Sequence, residues 1–362
     1  MLSSLKVLFS VNMIEYYIYR GEIMIEYFKT KHLIESMVKN RIVPGVNYAL
    51  LKENQVFVST VGFESLLPAI TQLNPFDLYD LASLTKVLGT TNVFLKLYEE
   101  GKLNFSEEIS NFIPQFKDNR VRISHLLTHT SGIRGWIENR DKLNRKELLD
   151  ALISLPVTDE FETKMRYADT NFIILGLILE KIYHEPVQKI ITDEILGPTK
   201  LKKTTFDPPK KECVPTALLT NGEVLQGIVH DPKARVLGDR CGSAGLFSNI
   251  HDLIKLSQSY LGIDKNILPL KQDTLASLYY GIQTPKGVHP RTWGWDLCFD
   301  PEDKHPILYH TGFTGTFMLL DRLNQTGLIV LTNRIHPSGH NLAFLSMREH
   351  IVKMFLQENR VK

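Results

Sequence analysis

Cysteine is scarce in this chain: Cys213, Cys241 and Cys298 are the only three in 362 residues. They lie far apart, form no CxxC pair and are odd in number, which argues against both a disulfide framework and a zinc knuckle. Reduced, mostly buried thiols are expected. An excess of one charge is also lacking, since 42 basic residues face 40 acidic ones for a net charge of +2. So small an imbalance gives no broad field for nucleic acid or a membrane surface. Long apolar runs are missing too. The longest, Phe172 to Leu179, has 8 residues, against the roughly 20 that a membrane-crossing helix needs.

What the chain does have is an apolar content of 43%, enough for a sizeable core in one large or two intimate domains. Near the start, the apolar stretch Val7 to Ile14 is interrupted by Asn12, followed by Glu15, and leads to no small-x-small cleavage pattern, so no secretory signal is expected and a cytoplasmic location is. Arg20, Gly21 and Glu22, just before Met24, back-translate into a purine-rich sequence like a bacterial ribosome-binding site. Residues 1–23 are therefore expected to be an extension that packs weakly on the folded body.

Apolar positions at Phe28, Leu33, Ile34, Met37 and Val38 recur as on one face of a helix over Tyr27 to Asn40. Val46 to Leu51 and Gln55 to Val61 flank a Lys52-Glu53-Asn54 turn and read as a hairpin. Thr292 to Phe299, Phe313 to Leu320 and Gly327 to Thr332 read as three further strands, and Asn341 to Gln357 as a closing helix. Between them, Val87 to Glu99, Leu148 to Leu155, Asn171 to Tyr183 and Leu253 to Leu261 have helical periodicity between Gly- and Pro-rich loops. The pattern predicts an α/β (α+β) fold. Residues 24–80 and 282–362 would form an antiparallel sheet domain built from both chain ends, and 81–281 an inserted, mostly helical domain.

Chemistry is suggested first at Asp80-Leu81-Ala82-Ser83-Leu84-Thr85-Lys86, which opens a predicted helix running to Gly101. Ser83 and Lys86, three apart, share a helix face. A helix N-terminus offers backbone N–H groups and a positive dipole end to developing negative charge, and a desolvated lysine can accept a serine proton. The SxxK pattern alone means little. About one chance match is expected from the Ser and Lys content, and three occur, the others at Ser3 and Ser36.

Two later elements in the right order distinguish Ser83. Tyr167-Ala168-Asp169-Thr170-Asn171 follows 84 residues later, and His310-Thr311-Gly312, read as opening a strand, another 143 on. With these, the chain resembles the serine β-lactamase and penicillin-binding-protein superfamily in its class C β-lactamase-like branch. Ser124 to Gly132 is similar to that branch's LLTHTSG stretch, and Val229-His230-Asp231 with Gly242 to Ser248 resembles another recurring block. The resemblance spans roughly residues 27 to 355.

It implies a β-lactamase/transpeptidase-like fold and a serine hydrolase that forms an acyl-enzyme on Ser83, cleaving a small amide, peptide or ester without a cofactor. Lys86 would be the general-base partner, Tyr167 the proton shuttle, and the N–H groups of Ser83 and Phe313 the oxyanion hole. Asp169, Asn171, His310, Thr311 and Gly312 would face the substrate. No nucleic-acid or membrane-spanning role is implied, and no oligomeric state.

The chain also departs from the pattern. Asp169 stands where the branch has Asn, and a carboxylate near Lys86 favours the ammonium and shifts proton work to Tyr167. Asn171 could supply the missing amide. His310 replaces the usual lysine, making a cation there pH-dependent. Both changes argue against an efficient β-lactamase and leave open an esterase of the same fold or a catalytically silent penicillin-binding-like protein. His125 and His129 have metal-pair spacing but lack a third ligand. Ser243 lacks the first glycine of a nucleophile elbow, the lysines from Lys200 to Lys211 read as a solvated loop, and Trp293 and Trp295 read as sheet packing.

Overall fold

The computed structural model describes residues 13–18, 27–219, 221–337, 339 and 341–359. Helix α1 (Phe28–Lys39) precedes the hairpin β2 (Gly45–Lys52) and β3 (Gln55–Ser65). The middle of the chain contributes α2 (Thr91–Glu99), α3 (Arg145–Ile153), α4 (Asp169–Tyr183) and α5 (Ile250–Tyr260). The last part supplies β4 (Asp296–Phe299), β5 (Pro306–Thr311), β6 (Phe317–Asp321), β7 (Thr326–Thr332) and α6 (Leu342–Glu358).

The strands form one antiparallel sheet in the order β1-β3-β2-β7-β6-β5-β4, where β1 is Met13–Ile18. The two ends of the chain meet at its centre, where β2 pairs with β7 from Val46 against Thr332 to Lys52 against Thr326. Alternate residues of a strand point to opposite faces, and here both faces are covered. Ala49, Leu51, Ile329 and Leu331 pack against the helices of the middle region. Tyr48, Leu50, Leu328 and Val330 pack against Ile34 and Met37 of α1 and Phe344 and Phe355 of α6. Two covered faces explain why these strands read as near-continuous apolar runs rather than alternating ones.

The expectation that residues 1–23 pack weakly is corrected in part. Met13–Ile18 pairs along β3, from Met13 against Val61 to Ile18 against Val56, while 1–12 and 19–23 lie outside the described residues. The last strands also differ from the sequence reading. Thr292 to Trp295 turn before β4 begins, because Gly294 has φ +74° and a Cβ there would collide with Thr91 Oγ1. His310-Thr311-Gly312 closes β5 rather than opening a strand. The chain then turns through Gly312 and Gly315, with Gly312 N–H bonded to Thr316 O at 2.6 Å, and β6 starts only at Phe317.

Cys213 and Cys241 are buried free thiols and Cys298 a half-buried one. Trp295 is fully buried between Tyr260 and His310, and Trp293 meets Phe105. Among the described residues no helix is long and apolar enough to cross a membrane.

Candidate active site

Ser83 lies where the chain turns from a short pairing of Tyr79–Asp80 with Phe247–Ser248 into α2. Successive three-residue turns, Leu84 N–H to Leu81 O, Thr85 to Ala82 and Lys86 to Ser83, each at 3.1 Å, tighten the segment, and Ala82 adopts φ +47°. Buried Asp80 holds this turn. Its carboxylate accepts from Ala82 N–H at 2.8 Å and from His230 N–H at 2.7 Å, and burial pushes its pKa up to about 6 against the pull of those bonds. The next turn widens, with Thr91 N–H bonding five residues back to Lys86 O. Such a π-turn is frequent at functional sites.

Lys86 is fully buried. Its Nζ donates to Ser83 Oγ at 2.9 Å, Asp169 Oδ1 at 2.8 Å and Ser243 O at 2.9 Å. The second oxygen of Asp169 meets Lys233 Nζ at 2.9 Å, and Lys233 lies 3.2 Å from Asp231. Burial alone, the largest influence, would favour a neutral Lys86. The adjacent Asp169 carboxylate and then the Tyr167 oxygen overrule it and raise its pKa. Asp169 shows the converse: burial opposes ionisation, but Lys86 and Lys233 hold it well below the ordinary carboxylate range. At neutral pH the ground state is therefore ammonium, carboxylate, ammonium.

Tyr167, 45% exposed, lies at the rim. Its ring centre is 5.2 Å from Lys86 Nζ, 4.5 Å from the His129 ring and 6.0 Å from the His310 ring. Asn171 does not supply an amide to this cleft. It is buried, its Oδ1 accepts from Ser131 Oγ at 2.7 Å and its Nδ2 donates to His129 Nδ1 at 2.9 Å, so both ends of the amide are already engaged. His310 is not a switchable cation either. Burial, then repulsion from Arg291 and Lys86, holds its pKa well below the ordinary value, and the imidazole stays neutral at neutral pH. Thr311 beside it is half-exposed.

Gly312 lets the end of β5 lie against the Ser83 turn. A Cβ there would run into Thr316 Oγ1 and stand 2.6 Å from Leu81 O. Thr314 Oγ1 bonds to Asp80 O at 2.7 Å and Thr316 Oγ1 to Leu81 O at 3.2 Å, stitching this turn to the serine segment. Among the described residues neither the Ser83 nor the Phe313 backbone N–H has an acceptor, so both are available as donors at this junction. Arg334 fixes the turn through Phe313 O at 2.8 Å, and His230 stacks on the Phe313 ring at 5.3 Å. A cleft of about 430 Å³ opens on the Asp169 and Lys233 side, lined also by Trp136, Ile137, Leu152 and Leu155.

Three contributors escaped the sequence reading. The Ser243 carbonyl sits inside a block the sequence had singled out, but its serine there reads as an ordinary loop residue. Lys233 follows Asp231-Pro232 with no local pattern to mark it. Arg291, fully buried, left only the faint signal of an arginine beside an apolar, tryptophan-rich stretch.

The chain is similar to known proteins over most of its length. The chain is 26% identical over 366 residues to a putative D-alanyl-D-alanine carboxypeptidase of Salmonella typhimurium, covering 86% of this chain and 84% of that one. It is 28% identical over 372 residues to an N-acetylmuramyl-L-alanine amidase of Bacillus subtilis, covering 85% and 82%. Among solved structures, a class C β-lactamase from Rhodobacter sphaeroides superposes with a TM-score of 0.68 at 18% identity, covering 89% of this chain and 99% of that one. Residues 30–350 match the family described as Beta-lactamase, and the chain accordingly belongs to that family of serine hydrolases.

Proposed function

We propose that the site around Ser83 cleaves a small amide or peptide through an acyl-enzyme on that serine, in the manner of a D,D-peptidase-like hydrolase. The observation that carries this reading is the 2.9 Å contact of Ser83 Oγ with the buried Lys86 Nζ, next to the N–H groups of Ser83 and Phe313, which have no acceptor among the described residues. Ser83 Oγ attacks the carbonyl carbon as its proton passes to the Tyr167 oxygen, which enters the step as the phenolate and leaves it as the phenol. The two amides hold the oxyanion, where one donor alone can be worth about 3 kcal/mol. Tyr167 then hands the proton to the leaving group, and water repeats the sequence in reverse to free Ser83. Lys86, held charged by Asp169, orients the serine and stabilises negative charge on the tyrosine. The names of the curated relatives, a carboxypeptidase and an amidase, favour an amide substrate.

An esterase is the second reading. The neutral, buried His310 supplies no cation for a substrate carboxylate, and an ester substrate needs none. Turnover of D-alanyl-D-alanine peptides and of short p-nitrophenyl esters separates the two. Intact mass after a penicillin and after a fluorophosphonate, followed by peptide mapping, tests the acyl-enzyme itself. One adduct is expected, on the peptide carrying Ser83-Leu84-Thr85-Lys86, and an adduct on Ser36, Ser131 or Ser243 instead would overturn the assignment.

Asp169 gives this site a pH signature. Its carboxylate raises the Lys86 pKa, so Asp169→Asn removes the charge that favours the ammonium and lowers that pKa. Because Lys86 works here as the ammonium, the alkaline limb of the rate profile should then move to lower pH. An unchanged profile would show that the carboxylate does not govern the proton transfer.

A further inference from the structure

Arg291 precedes β4 in a segment that belongs to none of the motifs read from the sequence. Its side chain is 2% exposed. One Nη donates to Gly294 O at 2.7 Å. The other stands 3.7 Å from Asp296 Oδ2, beyond hydrogen-bond reach, and Nε has no acceptor among the described residues. Asp296 is itself shared, since its other oxygen binds His289 Nε2 at 2.6 Å and Leu297 N–H at 3.0 Å. A buried cation so loosely paired is costly to folding.

The Arg291 guanidinium lies 6.0 Å from the centre of the Tyr167 ring. The other titratable groups around that ring leave it electrostatically exposed to Arg291. His129 and His310 are uncharged at neutral pH, burial lowering each pKa ahead of the repulsion from Arg291 and Lys86. The charge on Lys86 is offset at 2.8 Å by Asp169. Among the described residues the Arg291 charge has no carboxylate so close, Asp296 standing at 3.7 Å.

We propose that Arg291 is a positioning residue for Tyr167: its fixed guanidinium stabilises negative charge on the Tyr167 oxygen and so enables that oxygen to take the Ser83 proton. The inference rests on the reading of Tyr167 as proton shuttle. In the step concerned the Ser83 O–H bond breaks as the bond from Oγ to the acyl carbon forms, the proton joins the Tyr167 oxygen, and it later leaves with the amine or alcohol. Arg291 keeps its own protons throughout.

The test is the pH dependence of kcat for a p-nitrophenyl ester. In Arg291→Gln the rising limb should move to higher pH by about one unit, the scale expected for one charge at this range, with KM changing little, and Arg291→Lys should restore most of the shift. Asp296→Asn removes the partial counter-charge and should move the limb the other way, to lower pH. This second variant decides the matter alone if Arg291→Gln does not fold. A uniform loss of rate with the limb unmoved would mean that Arg291 is merely structural, and the proposal would fall. Ser83→Ala run alongside tells the two failures apart. Retained turnover in that variant would sink the reading of the site as a whole, whereas an inactive Ser83→Ala with unmoved limbs sinks only the role of Arg291.

Discussion

Ser83→Ala is expected to lower turnover of every acyl substrate by about 10⁴-fold or more, the scale on which loss of a serine nucleophile is felt. Its fold should survive. Ser83 is half-exposed and its Oγ receives one hydrogen bond, from Lys86, while the turn around it is held by Asp80, Thr314 and Thr316. A melting temperature within a few degrees of the parent together with steady-state and single-turnover kinetics would check both halves. The variant should also fail to gain mass from the fluorophosphonate. Activity within about tenfold of the parent would show that another nucleophile does the work.

Tyr167→Phe should cost about 10²- to 10⁴-fold in kcat, the range of a general acid–base group, with a much smaller effect on KM. The ring would remain against His129, and only the hydroxyl at an exposed rim is lost, so stability should hardly change. Because the oxyanion donors and the nucleophile stay in place, the variant should still acylate, slowly, at Ser83. Near-parental kcat with amide and ester alike would remove Tyr167 from the proton path.

Much of this was legible in the chain, for reasons that differ by element. The hairpin is local: the Lys52-Glu53-Asn54 turn joins two apolar runs, and Glu53 accepts φ +52°. Ser83 and Lys86 are legible because their spacing along one turn is all the contact requires. Asp169 was anticipated beside Lys86 from the family pattern, and the 2.8 Å contact bears this out.

The orientation of His310 was not legible. Which face of β5 it takes depends on the register with β6, His310 against Met318, and the turn that sets this register is shaped by Gly312 and Gly315. Asn171 belongs to the inward face of α4, where Ser131 and His129 engage the two ends of its amide. Lys233 and Arg291 reach the site from distant parts of the chain, and no local periodicity records a charge that becomes a neighbour only on folding. Residues Met13 to Ile18 were misjudged for a related reason. A short strand at a sheet edge draws its stability from its partner, here β3, more than from its own composition.

The alternation of charges along Lys86, Asp169, Lys233 and Asp231 constrains how such a site can change over generations. Exchanging Asp169 alone for an amide leaves Lys233 without its closer anion, and exchanging Lys233 alone leaves Asp169 to bear on Lys86 undivided. Either single step passes through a form with a mismatched, half-buried charge, whereas the double exchange keeps the count even. A relative with an amide at position 169 is accordingly expected to carry an uncharged residue at position 233.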